Sequence, residues 1–424
     1  MLRKTILMKR SATLVLLVLG LSVGAAWAQK ESVLYSFCAQ TNCADGAEPY
    51  AALVFDQKRN LYGTTEYGGS LACQNSFGNG CGVVFKLDPA GKETVLYTFC
   101  AQTDCTDGAT PLAGLVFDQK GNLYGTTEYG GAHGAGVVFK LTPKGKETVL
   151  YSFCKHNNCT DGYYPAAGLV SDTKGNLYGA TQSGGTYGGG VVFRLTPNGK
   201  ETVLYSFCAQ TNCADGEGPV TGLIFDQKGN LFGTTPSGGD SRFGVVFKLT
   251  PEGEEKVLYS FCPPGFPCND GALPNAGLVL DRKGNLYGTT EWGGNSFNCN
   301  YPDGCGVVFK LTPAGKETVL YTFCPQSCTD GAFPFAGLVF DQKGNLFGTT
   351  QSGGVNASSQ GGGVVFKLTP GGRETVLHSF CAQTNCADGA NPYAGPVFDQ
   401  KGNLYGTTVS GGAYNAGVAF KLTP

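Results

Sequence analysis

The stretch that decides the fold is Ala113-Gly-Leu-Val-Phe-Asp-Gln-Lys-Gly-Asn-Leu-Tyr-Gly-Thr-Thr127, because close copies of it occur seven times in the 424 residues. It contains two short segments, A (Gly114–Asp118) and B (Asn122–Thr127), that are rich in β-branched and aromatic residues. Such residues favour strands, and the Asp, Gly and Asn between the segments favour a tight turn. The stretch therefore predicts a β-hairpin.

Two further segments follow each hairpin, C (as at Gly136–Leu141) and D (as at Thr148–Phe153). Segment A recurs at intervals of 54 to 62 residues, starting near Ala52, Gly114, Gly168, Gly222, Gly277, Gly337 and Gly395. Four strands per repeat at this period predict an all-β fold, a β-propeller of seven four-stranded blades. An open solenoid is the alternative.

The two ends of the repeat array favour a closed ring. A spare copy of segment D precedes the first A, at Val33–Phe37, whereas the last repeat ends with C, at Gly417–Leu422. If the spare strand joins the last blade, the ring closes and no sheet end is left to cap. We therefore predict one propeller domain over residues 29–424, with strand 33–37 as the outer strand of the seventh blade.

The first 28 residues have the pattern of a secretory signal peptide. An apolar run, Ala12–Val23, follows a basic start, and Ala26-Trp27-Ala28 offers small residues at the positions that a signal peptidase reads. A membrane anchor is the alternative, but the run is short for a bilayer span. We expect cleavage after Ala28 and a secreted, extracellular protein, with the periplasm as the other possible location.

Composition narrows the range of partners. The chain contains 66 Gly, which suits short strands and turns rather than helices. Beyond residue 28 it carries 26 Lys and Arg against 32 Asp and Glu, without a basic cluster. A mildly acidic surface of this kind argues against nucleic acid and anionic lipid as partners. Nothing after the signal peptide is apolar enough to span a membrane, and we expect a monomer.

The repeat resembles a known family. The unit quoted above, followed by Ser/Tyr-Gly-Gly and Gly-Val-Val-Phe-Lys-Leu-Thr-Pro, resembles the GloVer tandem repeat of exported bacterial proteins described as choice-of-anchor. The resemblance covers residues 31–424, and a more distant one links the Asp-x-x-Gly-Asn-Leu-Tyr pattern to NHL-type propeller repeats. It implies bacterial export and a propeller-like fold, without an established activity. The sequence departs from the family label in one respect, because only two residues follow segment C and we expect no C-terminal sorting tail and no surface anchoring through one.

The cysteines predict disulfides rather than a metal site. All 18 fall into nine local pairs, seven in the D–A loops and two in the B–C loops. The pairs are Cys38/Cys43, Cys100/Cys105, Cys154/Cys159, Cys208/Cys213, Cys262/Cys268, Cys324/Cys328 and Cys381/Cys386, then Cys73/Cys81 and Cys299/Cys305. An even count in an exported chain favours disulfides. Zinc is the alternative, but it takes four ligands and each loop offers two thiols.

No catalytic residue and no cofactor site is predicted. Each D–A loop carries an Asp-Gly pair, as at Asp107, and seven such carboxylates could bind calcium. Calcium takes six to eight oxygens, however, so an Asp-Gly turn is the interpretation we favour. The only three histidines, His133, His156 and His378, have no recurring partner for nucleophilic catalysis.

The blades differ from one another mainly in their long loops. The residue after the Pro that precedes strand A is aromatic in three neighbouring blades, Phe335, Tyr393 and Tyr50. The B–C loops of blades one, two and five begin with an acid and an aromatic residue, Glu66-Tyr67, Glu128-Tyr129 and Glu291-Trp292. Aromatic rings beside carboxylates on a rigid concave face suit sugar rings or peptide side chains.

These positions make two functions worth considering. The first is a binding or scaffold module that takes an extracellular glycan or protein on the long-loop face. The second is a propeller enzyme, a lyase or hydrolase that acts on extracellular polysaccharide. That the rings merely pack the loops is the structural alternative. A propeller fold alone does not distinguish the two functions. The lack of a cluster of catalytic residue types in the sequence favours the first.

Overall fold

The computed structural model describes residues 30–423, apart from 71–72, 76–77, 264–266, 297–298, 300–303 and 356–360. The expected signal peptide, residues 1–28, lies outside the described residues. The described chain forms seven four-stranded antiparallel sheets with strands in the order A-B-C-D, which are the blades of a β-propeller. Within these residues no helix is long and apolar enough to cross a membrane.

The strands recur with nearly constant length. Strand A spans Val54–Phe55, Val116–Phe117, Val170–Ser171, Ile224–Phe225, Val279–Leu280, Val339–Phe340 and Val397–Phe398. Strand B spans Leu61–Thr65, Leu123–Thr127, Leu177–Thr181, Leu231–Thr235, Leu286–Thr290, Leu346–Thr350 and Leu404–Thr408. Strand C spans Val83–Leu87, Val137–Leu141, Val191–Leu195, Val245–Leu249, Val307–Leu311, Val364–Leu368 and Val418–Thr423. Strand D spans Glu93–Thr98, Glu147–Ser152, Glu201–Ser206, Glu255–Ser260, Glu317–Thr322 and Glu374–Ser379, with Lys30–Ser36 in the seventh blade.

The loops add short elements that the repeat pattern did not predict. Six of the D–A loops contain a 3-10 turn, at Thr41–Cys43, Thr103–Cys105, Asn157–Cys159, Thr211–Cys213, Cys328–Asp330 and Thr384–Cys386. A small hairpin, Gln74–Asn75 with Gly78–Asn79, lies in the first B–C loop. Strand A is also shorter than expected, two residues instead of five, and at its end the Asp side chain of the A–B turn accepts hydrogen bonds from two amides of that turn. Asp118, for example, accepts hydrogen bonds from the amides of Lys120 and Asn122, both at 2.8 Å.

The N-terminal strand closes the ring, as the sequence predicted. Lys30–Ser36 pairs antiparallel with Val418–Thr423 and supplies the outer strand of the seventh blade. A second link forms near the axis, where the Thr407 hydroxyl donates to the carbonyl oxygen of Ala51 at 3.1 Å. The same hydrogen bond joins most other neighbouring blades, as from Thr64 to Ala113 at 3.0 Å. The seventh and first blades therefore meet as consecutive blades do.

Phenylalanine rings fill the space between the blades. The Phe that follows strand D packs edge-on against the Phe of strand C in the next blade, as Phe153 does on Phe193 with ring centroids 5.1 Å apart. All seven of these contacts have centroid distances of 4.9 to 5.1 Å. The rings are at most 1 % exposed. Full burial of a Phe side chain stabilises a fold by about 1.5–3 kcal/mol, so this layer is a major part of the core.

A β-bulge sets the outer edge of each blade against its neighbour. The C–D pairing shifts register in every blade, as between Val138 and Phe139 in the second, and leaves Leu150 as the extra residue. The Leu150 carbonyl then meets the C–D turn of the next blade at Gly199, where a Cβ would lie 3.0 Å from the oxygen. Because Gly199 also has a φ of +81°, glycine suits both the turn and the contact.

Each blade interface also contains a half-buried acidic group. Strand D begins with a Glu in six blades and has Glu31 as its second residue in the seventh, and one carboxylate oxygen of each is buried without a hydrogen-bond partner. In the second blade this residue is Glu147, whose pKa is raised to about 7 by burial and by the charge of Asp107. The other six have pKa values raised to about 7 for the same two reasons: Glu31, Glu93, Glu201, Glu255, Glu317 and Glu374.

Removal of residues 29–37 is expected to open the ring. The truncation exposes strand C of the seventh blade as an unpaired edge and removes the buried ring of Phe37. We expect the melting temperature to fall by about 10 °C or more and the protein to self-associate. Calorimetry and light scattering would measure both, with the chain that starts at Gln29 as the control. An unchanged, monomeric truncated protein would contradict closure by this strand.

The interface glutamates are expected to make stability depend on pH. Their folded pKa of about 7 lies above the ordinary value of 4.5, so the folded state holds their protons more tightly than the unfolded state. The resulting stability is present below about pH 4.5 and is lost as the pH rises through 7. Glu147→Gln removes one such group, and we expect it to raise the melting temperature at pH 8 by about 1–2 °C and to have less effect at pH 5.

The control for this experiment is Glu252→Gln, because Glu252 is exposed. The control should leave the difference in melting temperature between pH 5 and pH 8 unchanged. Parallel curves for Glu147→Gln and the wild type over this pH range would show that the interface glutamate does not titrate as described.

Candidate ligand-binding site

The long loops meet on one face of the propeller. In every blade a residue of the preceding D–A loop forms a β-bridge with a residue at the start of the B–C loop, as Ala109 does with Tyr129. The other six bridges are Ala47–Tyr67, Tyr163–Ser183, Glu217–Ser237, Ala272–Trp292, Ala332–Ser352 and Ala390–Ser410. Both kinds of long loop therefore support each other, and the aromatic residues of the B–C loops are held by backbone hydrogen bonds.

The aspartates of the D–A loops hold these loops in place. Asp45 is fully buried, and its carboxylate accepts hydrogen bonds from the Tyr35 hydroxyl at 2.6 Å and from the amides of Ala39 and Gln40 at 2.8 and 3.0 Å. Five other loops repeat the Tyr–Asp pair. In the remaining one His378 takes the place of Tyr, with Nε2 3.5 Å from Asp388. These carboxylates serve the turn, which agrees with the Asp-Gly interpretation of the sequence.

The disulfides fasten the same loops. The structure pairs the cysteines as 38–43, 73–81, 100–105, 154–159, 208–213, 262–268, 299–305, 324–328 and 381–386. Each bridge closes a loop within one connection, because its two cysteines are at most eight residues apart. The bridges therefore stiffen individual loops rather than link blades.

Two of the disulfides lie against a second disulfide. The sulfurs of Cys73, Cys81, Cys100 and Cys105 are within 4.8 Å of one another, and so are those of Cys299, Cys305, Cys324 and Cys328. The sequence did not predict these four-sulfur clusters, because the paired loops are separated along the chain. Zinc is bound by thiolates, so the sulfurs are not available to it while the disulfides are intact. Among the described residues, the other group with metal-ligand spacing is Cys208, Cys213 and Glu217.

Three of the predicted residues form one aromatic row. Tyr393 packs against Tyr50 with ring centroids 4.9 Å apart and against Phe335 at 5.2 Å. All three side chains are half-buried. They follow the Pro before strand A, the innermost strand, so they lie at the mouth of the central channel. We call Phe335, Tyr393 and Tyr50 the aromatic arc.

A carboxylate group accompanies the arc. The pKa of Glu66 is raised to about 7, first by burial and then by the charges of Glu48 and Glu128, while a hydrogen bond from Tyr67 lowers it. Burial also raises the pKa of Tyr50 above its ordinary value, and the charge of Glu66 adds to this. Glu66 therefore lies close enough to the arc for the two to interact electrostatically.

The remaining predicted residues have separate surroundings. Tyr129 is 41 % exposed and packs on Tyr164 with ring centroids 5.1 Å apart, so it starts a second aromatic group. Burial raises the pKa of Glu128, and a hydrogen bond from Tyr129 opposes this. Trp292 is half-buried and packs against the cluster of Cys262, Cys268 and Ala272. The structure thus joins Tyr50, Glu66, Phe335 and Tyr393. The charge of Glu66 also reaches Tyr129, whose ring packs on Tyr164 rather than on the arc.

Sequence reasoning missed several residues at this face. Glu48 is the only acid at its position among the seven blades, and it was not singled out. The amide of Gln351 donates to the Tyr393 hydroxyl, and Asn275 donates to Glu291 at 2.7 Å. Exposed tyrosines that the pattern did not predict are Tyr187 and Tyr414, which are 57 % and 54 % exposed. Only the comparison of equivalent positions, blade by blade, could have identified Glu48.

Comparison with solved structures finds distant similarity to other propellers. A 6-phosphogluconolactonase-type protein from Bacteroides uniformis is 16 % identical, with 78 % of this chain and 84 % of that chain covered and a TM-score of 0.47. The periplasmic gluconolactonase of Pseudomonas aeruginosa is 19 % identical, with 78 % and 85 % covered and a TM-score of 0.45. Scores this low do not bear on what the present chain binds. No curated protein sequence matches it.

The family comparison is more direct. The model of the Gloeobacter/Verrucomicrobia repeat matches residues 26–171, 71–301 and 265–424, which together include every blade. These are the same residues that carry the repeated strand and turn segments and the closing strand. The chain belongs to the Gloeobacter/Verrucomicrobia repeat family.

Proposed function

We propose that this chain is an exported binding module that holds an extracellular ligand, a glycan or a protein, at the mouth of its long-loop face. The observation that carries the proposal is the aromatic arc, in which Tyr393 contacts both Tyr50 and Phe335. Seven identical blades would offer seven equivalent sites of low affinity. The three adjacent aromatic side chains of the arc make one part of the propeller different from the rest. A single ligand needs an asymmetric surface of this kind.

The chemistry of the mouth favours a neutral ligand with many hydroxyl groups. Sugar rings present C–H faces that pack on aromatic side chains, and their hydroxyls donate to carboxylates. Glu66 and Glu48 supply such acceptors beside Tyr50. Where Glu66 and Glu48 are ionised, above a pH of about 7 for Glu66, they would repel polymers of uronic acids, so a neutral or amino-sugar glycan is favoured over an acidic one. A peptide with an exposed aromatic or basic side chain would fit the same surface.

The rigidity of the loops supports a binding role. Loops that are fixed by a disulfide and a buried Asp lose little conformational entropy when a ligand binds. The disulfides also support export, because they persist outside the cytosol. We therefore place the protein outside the cell or in the periplasm, and the signal peptide over residues 1–28 remains part of this proposal.

An enzyme is the second candidate, and one observation favours it. Glu66 has its pKa raised to about 7 and interacts with Glu48, an acid found in no other blade. A carboxyl group that keeps its proton near neutral pH can act as a general acid in the hydrolysis of a glycosidic bond. In this case the arc would hold the sugar and Glu66 would protonate the leaving oxygen. A water molecule would add to the anomeric carbon, with Glu48 taking its proton.

The double variant Tyr50→Ala, Tyr393→Ala is expected to fold and to bind its ligand more weakly. Loss of aromatic stacking costs about 1 kcal/mol per ring, so we expect affinity to fall by about thirtyfold. A glycan array and a polysaccharide pull-down with residues 29–424 would identify the ligand, and calorimetry would compare affinities. Tyr187→Ala is the control, because Tyr187 is exposed on a B–C loop outside the arc. Equal affinity in the double variant and the wild type would reject the site.

The same ligand distinguishes the two candidate functions. If the protein only binds, the glycan is recovered uncut and Glu66→Gln changes affinity alone. If the wild type shortens the glycan and Glu66→Gln binds it without cutting, the protein is an enzyme and the proposal of a pure binding module is wrong. Chromatography of the glycan after incubation provides this measurement.

A further inference from the structure

The face opposite the long loops has its own break in symmetry. Between most blades, the aromatic residue of strand B meets the Phe at the end of strand A in the next blade, edge to face. Five interfaces have this pair, with ring centroids 5.0 to 5.2 Å apart and interplanar angles of 85° to 89°. The pairs are Tyr405–Phe55, Tyr62–Phe117, Tyr178–Phe225, Tyr287–Phe340 and Phe347–Phe398.

In two interfaces the residue at the end of strand A is not aromatic, and in only one of these two is it also small. Between blades four and five, Leu280 replaces Phe and packs in the same cluster as Phe232. Between blades two and three, the position is taken by Ser171, which is exposed. Tyr124 of the second blade is therefore left without the ring that its counterparts contact.

A cavity of about 490 Å³ occupies this place. Its walls are apolar, from Phe117, Tyr124, Leu150, Leu177 and Pro197, and it opens beside Ser171. The equivalent groove between blades six and seven, where the Phe398 ring is present, has about 210 Å³. The groove without the Phe ring is therefore the larger of the two. Its volume is in the range of sites that bind small molecules.

The rim of the cavity has a net positive charge, because three lysines line it against two aspartates. Lys120, Lys140 and Lys174 all line it, and the Lys140 ammonium lies 5.8 Å from the centre of the Tyr124 ring. In the part of the chain that the structure describes, no side-chain nitrogen of a lysine or arginine lies within 4.0 Å of a carboxylate oxygen.

Two aspartates also line the cavity, but their oxygens are already used. Asp118 accepts hydrogen bonds from the amides of its turn and from the Asn122 side chain at 2.6 Å. Asp172 does the same for the amide of Asn176 and for its side chain, at 2.9 and 2.7 Å. These hydrogen bonds lower the pKa of both aspartates, so they stay ionised and offset two of the three lysine charges. The lining keeps a net positive charge, and the lysine ammonium groups are the donors that a bound anion would meet.

We propose that the cavity between blades two and three binds a small aromatic carboxylate. Its ring takes the position that Phe occupies in the other interfaces, edge-on to Tyr124, and its carboxylate meets the lysines of the rim. Aromatic pairs gain free energy beyond area burial, and a charged hydrogen bond at the rim fixes the orientation. The site lies on the short-turn face, so it is independent of the aromatic arc and of the function proposed there.

Phenylacetate is the probe, because it has a single phenyl ring and one carboxylate. Ligand-observed NMR and calorimetry on residues 29–424 are expected to show saturable binding at one site. Cyclohexylacetate lacks the aromatic ring and phenethylamine carries a cation in place of the anion, so both should bind at least tenfold more weakly. Absence of saturable phenylacetate binding overturns the proposal, and so does equal binding of either analogue.

Ser171→Phe is the decisive variant, since it restores the ring pair found in five interfaces. We expect it to fold, to melt at a higher temperature than the wild type and to lose phenylacetate affinity by at least tenfold. The reverse variant Phe225→Ser opens the same groove between blades three and four and should add a second binding site. Unchanged affinity in Ser171→Phe would place the probe elsewhere and overturn the proposal.

A further control separates this site from the channel mouth. The Tyr50→Ala, Tyr393→Ala variant should bind phenylacetate as the wild type does, because its substitutions lie on the opposite face. If that variant loses phenylacetate instead, the probe binds at the mouth and the cavity assignment is wrong. Neither result changes the interpretation of the glycan-binding experiments, which test the aromatic arc separately.

Discussion

The contact between a Phe that follows strand D and the Phe of strand C in the next blade is the interaction on which the structure depends. A four-stranded blade is one sheet thick, so each of its faces must be covered by a neighbouring blade. The Phe153–Phe193 contact and its six equivalents supply that cover all the way around the ring. Every interface then has the same geometry, and the last must close on the first. The pairing of Lys30–Ser36 with Val418–Thr423 completes this arrangement and gives the seventh blade the outer strand that the other blades have.

Since the strands are committed to these contacts, variation is confined to the loops and to a few interface positions. The D–A loops are independent of the sheet core, because a disulfide and an Asp side chain, as in Cys38–Cys43 with Asp45, hold each one internally. They can carry Tyr50 or Phe335 in one blade and Ala166 in another without changing the blade beneath. The same independence explains why the residues of one arc come from three blades whose sequences are otherwise nearly identical.

Much of the fold could be predicted from the sequence because it repeats. Seven copies of one segment gave the strand order, and the spare Val33–Phe37 segment predicted the closing strand to within a few residues. The aromatic arc could be predicted too, because its residues occupy one equivalent position in neighbouring blades. The four-sulfur clusters and the raised pKa of Glu147 could not, since each arises between segments that are separated along the chain. The sequence shows Ser171 as the only polar residue at the end of strand A among the seven blades. That it leaves a cavity could not be predicted, because the cavity forms against Tyr124 of the previous blade.

Two different changes break the symmetry of the ring, and they have different energetic consequences. Adding an aromatic residue at a loop, as at Tyr393, costs the interfaces nothing. Removing a ring from an interface, as at Ser171, gives up part of the 1.5–3 kcal/mol that burial of a Phe side chain provides. A closed ring can tolerate this loss, because the blade is still held by its Phe–Phe contacts on both sides and cannot swing away from the neighbour. The vacancy then persists as a cavity with a fixed shape instead of collapsing, which is the property that a preformed binding site requires.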